Sequence, residues 1–129
     1  AALGSDLDWL AALPWVLEGR CGDRRWIGVH AGVSPDPLAP QLAALRQPAA
    51  AWAADADLPL ELYCKHWVAT VPCDLPADTT VVSGHVPLET VHLTAQRIVC
   101  DTSGGRPGRP LSAVRWPAGT VVTSDGASR

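Results

Sequence analysis

From residue 15 an apolar run, WVLE, is followed by a second, WIGVH, that alternates toward a histidine, with Cys-Gly-Asp-Arg between them. Two short apolar runs around turn residues predict a β-hairpin, with strands over 15–18 and 26–30 and a turn over 21–24. Ahead of it, Leu7, Leu10 and Leu13 recur at helical spacing behind Ser5 and Asp8, a capping-box-like start, and Pro14 should end that helix. Pro35, Pro37 and Pro40 keep the following loop irregular, and a short helix is expected over 42–46. Residues 48–57 are alanine-rich and read as a helix or a loose cap. Residues 58–68 read as helical and 72–78 as a linker. From residue 79 the pattern turns to strand: TTVVSGH is a β-branched run, and ETVHLTAQRIVCDT reads as two strands around a turn at 94–96. GGRPGRP is a loop, and PLSAVRWP and GTVVTS read as two further strands around 117–119. Helix, hairpin, helices and then four or five strands predict an α+β or α/β domain, its sheet covered by helices.

Composition narrows the class. A chain of 129 residues is long enough for one core but not two ordinary domains. The net charge of −3 supplies no basic field to collect phosphates, so no nucleic-acid partner is expected. No apolar run approaches the roughly 18–20 residues of a membrane helix, so no membrane partner is expected either. The chain holds no methionine and opens at Ala1 within what reads as a helix lead-in, so we expect a single partial domain over 1–129. Cys21, Cys64, Cys73 and Cys100 form no CxxC pair and read as thiols of a reducing cytoplasm. Cys64, His66 and Cys73 would make only part of a metal site.

Candidate chemistry gathers at two histidines. His30 in GVHAG and His85 in VVSGHVP each follow an apolar run, with glycine close by to let the backbone turn. A strand end is a rigid platform, and neutral imidazole is a common metal ligand. Either histidine alone reads as a structural or solvent-facing residue; two in matched settings raise the metal reading. His66, in the expected helix, and His92, in mid-strand, read as structural or surface groups. Lys65 and Arg106 are candidate phosphate partners, although most surface cations are simply solvated. No GxSxG is present, so a serine-hydrolase elbow is not signalled. Six tryptophans with no phenylalanine and one tyrosine are expected to supply the aromatic core.

VHAGVSP, then VVSGHVPLE, RIVCDTSGG and LSAVRWPAGTVV, taken in that order, resemble the C-terminal half of calcineurin-like metallophosphoesterases. The bacterial serine/threonine protein phosphatases and symmetrical diadenosine tetraphosphatases are the branch resembled. DWLAALPWVLE resembles the helix and strand ahead of the first motif, so the likeness spans nearly the whole chain. It implies half of an α/β/β/α sandwich with a mixed-to-antiparallel sheet. It implies metal-dependent hydrolysis of phosphate esters, with a phosphoprotein or dinucleoside polyphosphate as substrate. It also implies a dinuclear centre of Mn, Fe or Zn, with His30 and His85 on one metal. Gly32, Gly84 and Asp101 then shape the loops. Three departures stand near the site: Tyr63-Cys64-Lys65 where many members have Trp-x-Arg, valine in GHVP, and serine in DTSGG. D-x-H, GDxxDRG and GNHE, which supply the family's remaining ligands and its catalytic histidine, are absent from the chain. The resemblance implies that these motifs stand upstream of Ala1, so no catalytic residue is assigned within the chain. The expectations are therefore an intact protein that is a hydrolase and an isolated chain with little activity. A non-catalytic remnant that keeps the fold for binding is the alternative. A small β-rich binding module with incidental histidines is disfavoured by the order of the motifs.

Overall fold

The computed structural model describes residues 6, 9–10, 12–47 and 58–126. Ala1, the Ser5/Asp8 cap, the alanine-rich 48–57 and Trp52 lie outside the described residues, and so does the expectation of catalytic motifs upstream of Ala1. Trp9 and Leu10 are helical, and the amides of Ala12 and Leu13 bond back to their carbonyls before Pro14 ends the turn.

Strands β1 (Val16–Cys21) and β2 (Arg24–Val29) form the hairpin. Cys21 pairs with Arg24, so Gly22 and Asp23 alone make the turn. Gly22 has φ 61°, at the turn position where a two-residue hairpin favours glycine. The ladder therefore runs further than the sequence pattern implied. Gly19 stays in it, opposite Trp26, because it leaves room for the indole: a Cβ there would stand 2.6 Å from the ring.

Helix α1 (Leu38–Leu45) follows, and beyond it come β3 (Thr79–Ser83), β4 (His92–Leu93) and β5 (Arg97–Val99). The five strands make one mixed sheet in the order β1-β2-β3-β5-β4. Its two inner pairings, β2–β3 and β3–β5, are parallel, and the outer two are antiparallel. A separate antiparallel hairpin joins β6 (Ser112–Arg115) to β7 (Thr120–Thr123). The chain is thus a mixed α+β structure made mostly of sheet. Among the described residues no helix is long and apolar enough to cross a membrane.

Register sorts the two faces of the sheet. Val16 lies opposite Val29, and Ile27 opposite Val81; these four pack with Val33, Leu42 and Leu45 into the buried core under α1. Leu17, Gly28 and Val82 form the alternate row across three strands and face the other way. There an open groove of about 570 Å³ is lined by Trp15, Leu17, Gly28, His30, Leu62 and Val82, and Leu17 is 55% exposed.

Three expectations need correction. Helix α1 begins at Leu38, not at 42, since Pro40 falls in its first turn, where no intrahelical N–H bond is required. Residues 58–68 are not an α-helix. Only a 3-10 turn over Leu60–Leu62 forms, because tertiary partners take the carbonyls a helix would use. The Glu61 carbonyl accepts from the amides of Ala31 and Gly32, and that of Tyr63 faces the His85 ring. Nor do the described tryptophans build the core, which is aliphatic; Trp9 is 63% exposed, Trp15 packs at the core's margin, and Trp26 lies against Gly19 on the other face of the sheet.

Candidate metal-binding histidine pair

Parallel pairing of β2 with β3 brings their carboxyl ends to one edge, the edge at which open α/β sheets bind ligands. His30 follows β2 directly, and His85 lies two residues beyond β3. The Gly84 amide donates to the His30 carbonyl at 3.0 Å, which carries the ladder past the formal end of β3. His85 then reverses the chain. It has φ 68°, the one non-glycine residue with positive φ among those described, and the Val86 amide closes onto the Gly84 carbonyl at 2.8 Å. This is a γ-turn of the positive-φ kind, rare and strained. The sequence reading placed the loop-shaping freedom on Gly84. The structure moves the unusual conformation one residue on, and a Cβ at Gly84 would make only ordinary contact, 3.5 Å from the Asp101 Cβ.

The turn sets the two imidazoles edge to face, with centroids 4.8 Å apart and the planes at 60°. His30 Nε2 and His85 Nδ1 are 3.0 Å apart, and His85 Nε2 lies 3.1 Å from the Tyr63 carbonyl oxygen. A carbonyl can only accept, so His85 Nε2 carries the proton, and Nδ1 accepts a hydrogen bond from His30 Nε2–H. Fixing one ring nitrogen on a carbonyl so that the other is free to ligate is the usual arrangement behind a metal-bound histidine. Two nitrogens about 2.0–2.1 Å from one ion would stand roughly 3 Å apart at angles near 90°. With the His30 Nε2 proton lost, the two nitrogens have the spacing of two ligands on one ion. Among the described residues no group of three or more His, Cys, Asp or Glu side chains stands close enough to hold an ion. Cys64, His66 and Cys73 are thus not gathered into a site.

The other candidates separate by role. Gly32, at φ 151°, passes where a Cβ would meet Arg97 Nη2 and the Trp67 carbonyl, both at 3.1 Å. Asp101 Oδ1 accepts the Gly104 amide at 2.8 Å, and its carbonyl accepts the Leu88 amide, which ties the DTSGG turn to the segment after His85. Lys65 is exposed on the irregular segment two residues past Tyr63, and Arg106 is exposed in the turn after Ser103. His66 is exposed outside any helix, and His92 opens β4 opposite Val99.

Sequence reasoning missed the Tyr63 carbonyl, which has no side-chain signature, and Arg97. A charged residue opening a strand ordinarily reads as solvated, yet Arg97 is only 1% exposed. The one signal was its place at the head of an otherwise apolar run, RIVC. No protein-family model matches the chain, and no curated protein matches its sequence.

Proposed function

We propose that this chain is the C-terminal half of a calcineurin-like metallophosphoesterase and supplies His30 and His85 to one metal of its dinuclear centre. The activity is hydrolysis of phosphate esters, with a phosphoprotein or a dinucleoside polyphosphate as substrate, in the cytoplasm. One observation carries the reading. Two histidines 55 residues apart meet at the carboxyl edge of a parallel strand pair, with facing nitrogens 3.0 Å apart. A mixed sheet with one face packed and an apolar groove on the other, along β1, β2 and β3, also supports half of an α/β/β/α sandwich.

In this reading His85 ligates through Nδ1 and His30 through Nε2, and the Tyr63 carbonyl holds the His85 ring in the ligating tautomer. A bound divalent metal of the Mn, Fe or Zn type supplies Lewis acidity and lowers the pKa of bound water. Groups other than the described residues complete the ligand set, and the reading places them upstream of Ala1. Lys65 and Arg106 are the cations of this chain assigned to phosphate. The alternative, a non-catalytic remnant, draws on Lys65: an ammonium on an irregular segment lacks the fork with which arginine grips phosphate in two places.

The test is p-nitrophenyl phosphate turnover with added manganese by the full protein that carries this chain. We expect His30→Ala and His85→Ala each to lower metal-dependent turnover by at least about 100-fold, the upper end of losses seen when metal-site partners are removed. Unchanged turnover in either variant would overturn the ligand assignment. Metal binding without turnover in the unmutated protein would favour the remnant.

A further inference from the structure

Among the described residues Arg97 is the largest side chain buried to less than 2% exposure. It opens β5 on the core face, level with Val81. Burying a guanidinium is costly without a carboxylate partner, and none is among its hydrogen-bond acceptors. Desolvation lowers its pKa to about 10 despite a small opposing contribution from Cys100, and Nε has no partner. An apolar residue of similar length would fill the space at lower cost, so the bonds it makes call for a reason.

The bonds of Nη2 lead toward the histidine pair, and those of Nη1 tie β5 to β3. Nη1 donates to the carbonyls of Ile98 at 2.9 Å and Val81 at 3.3 Å. Nη2 donates to Ser83 Oγ at 2.6 Å and to the Trp67 carbonyl at 3.4 Å. Ser83 Oγ in turn donates to the Ala31 carbonyl at 3.2 Å. Ala31 is bonded to His30, Ser83 lies two residues before His85, and Trp67 shares a segment with Tyr63. The guanidinium thus holds the end of β3 and the segment whose carbonyl orients His85 directly, and reaches the end of β2 through Ser83 Oγ. Gly32 keeps the space open, since a Cβ there would press on Nη2 at 3.1 Å.

We infer that Arg97, acting through Ser83, is a positioning residue that holds His30 and His85 at ligating distance and keeps His85 in one tautomer. The inference rests on the metal reading above for its purpose, but its geometry is testable without metal. Only a planar fork can serve these acceptors together; a lysine ammonium reaches them as a single point.

The experiment is nitrogen-15 NMR of the histidine rings in the metal-free full protein that carries this chain, followed by titration with Co(II). The proteins are the unmutated full protein, Ser83→Ala, Arg97→Met and Arg97→Lys. In the unmutated protein we expect one His85 tautomer, protonated at Nε2, and a ring-to-ring Overhauser contact with His30. In Ser83→Ala and Arg97→Met the contact is lost and His85 averages between tautomers, with Co(II) affinity lowered about 10–100-fold. Arg97→Lys falls between. A role confined to stability would lower the unfolding midpoint and leave tautomer and contact unchanged in the folded variants. That result overturns the inference. If Arg97→Met does not fold, Ser83→Ala decides alone, since it removes one hydroxyl and leaves the guanidinium. If the unmutated full protein binds no Co(II), the metal reading fails, and the positioning role is judged on tautomer and ring contact.

Discussion

At the scale of single residues, conformation and burial matter more than residue type. His85 holds a backbone conformation that glycine adopts freely, so its side chain is kept there against a steric cost. Comparing two truncations isolates that cost. Both His85→Gly and His85→Ala lose the imidazole, but only alanine keeps a Cβ at φ 68°. We expect the glycine variant to be the more stable by about 1–2 kcal/mol in urea unfolding. Equal stability would mean that the turn relaxes once the ring is gone. Cys100 offers a second case. Burial pushes its thiol above the ordinary 9.0, a nearby Asp101 adds to the rise, and its own backbone hydrogen bond and Arg97 oppose it. A thiol with a raised folded pKa contributes stability that is fully present below the unfolded value of 9.0 and lost as pH rises through the folded value. The alkaline loss of stability should therefore be smaller in Cys100→Ala. Alkylation at pH 8 should modify exposed Cys21 and Cys73 first and Cys100 last, read by mass spectrometry of the peptides. Early modification of Cys100 would show that β5 opens readily.

At the scale of elements, α1 is held by its apolar stripe, not by its charges. Leu42 and Leu45 lie in the core, and Leu45 is 1% exposed. Arg46, just past the helix, grips Glu18 of β1 through Nε and Nη2, but its side chain is 54% exposed. Burial predicts about 2–5 kcal/mol lost in Leu45→Ala, against at most about 1 kcal/mol in Arg46→Ala. Chemical denaturation of the two variants checks the order, and a larger loss at Arg46 would reverse this account of the helix. Elements were legible where local chemistry decides them. The turn at 94–96 appears between β4 and β5, where the Thr94 hydroxyl accepts the Arg97 amide and its own amide donates to the Arg97 carbonyl. The β6–β7 hairpin likewise turns where Pro117 and Gly119 stand. The segment 58–68 was misread because its carbonyls are claimed by Ala31, Gly32 and His85, partners 22 residues or more away that no local pattern reveals.

At the scale of the whole molecule, one face of the sheet is packed under α1 and the other carries Leu17, Gly28 and Val82 around an open groove. An apolar sheet face in water favours association. We expect the chain to sediment above its monomer mass at tens of micromolar, and Leu17→Lys to shift it toward monomer without loss of cooperative unfolding. A chain that stays monodisperse and monomeric would count against reading this face as one that another layer covers.

The sequence by itself determined the strand-forming runs, the turns between them and the two histidines as strand-end residues. Period-two alternation, β-branching and turn residues act over a few positions, and that range a linear reading can follow. It also determined the candidate chemistry by type: imidazoles beside glycine, and cations on loops. Only the tertiary structure decided that β2 and β3 run parallel side by side, and so that His30 and His85 meet. It alone decided that His85, not Gly84, takes the positive φ, that a Tyr63 carbonyl sets the tautomer, and that Arg97 lies buried behind them. Each of these depends on partners brought together across 14 to 55 residues of chain, from Ser83–Arg97 to His30–His85. Such pairings follow from the register of whole strands and the burial of whole faces, which no short stretch of sequence encodes.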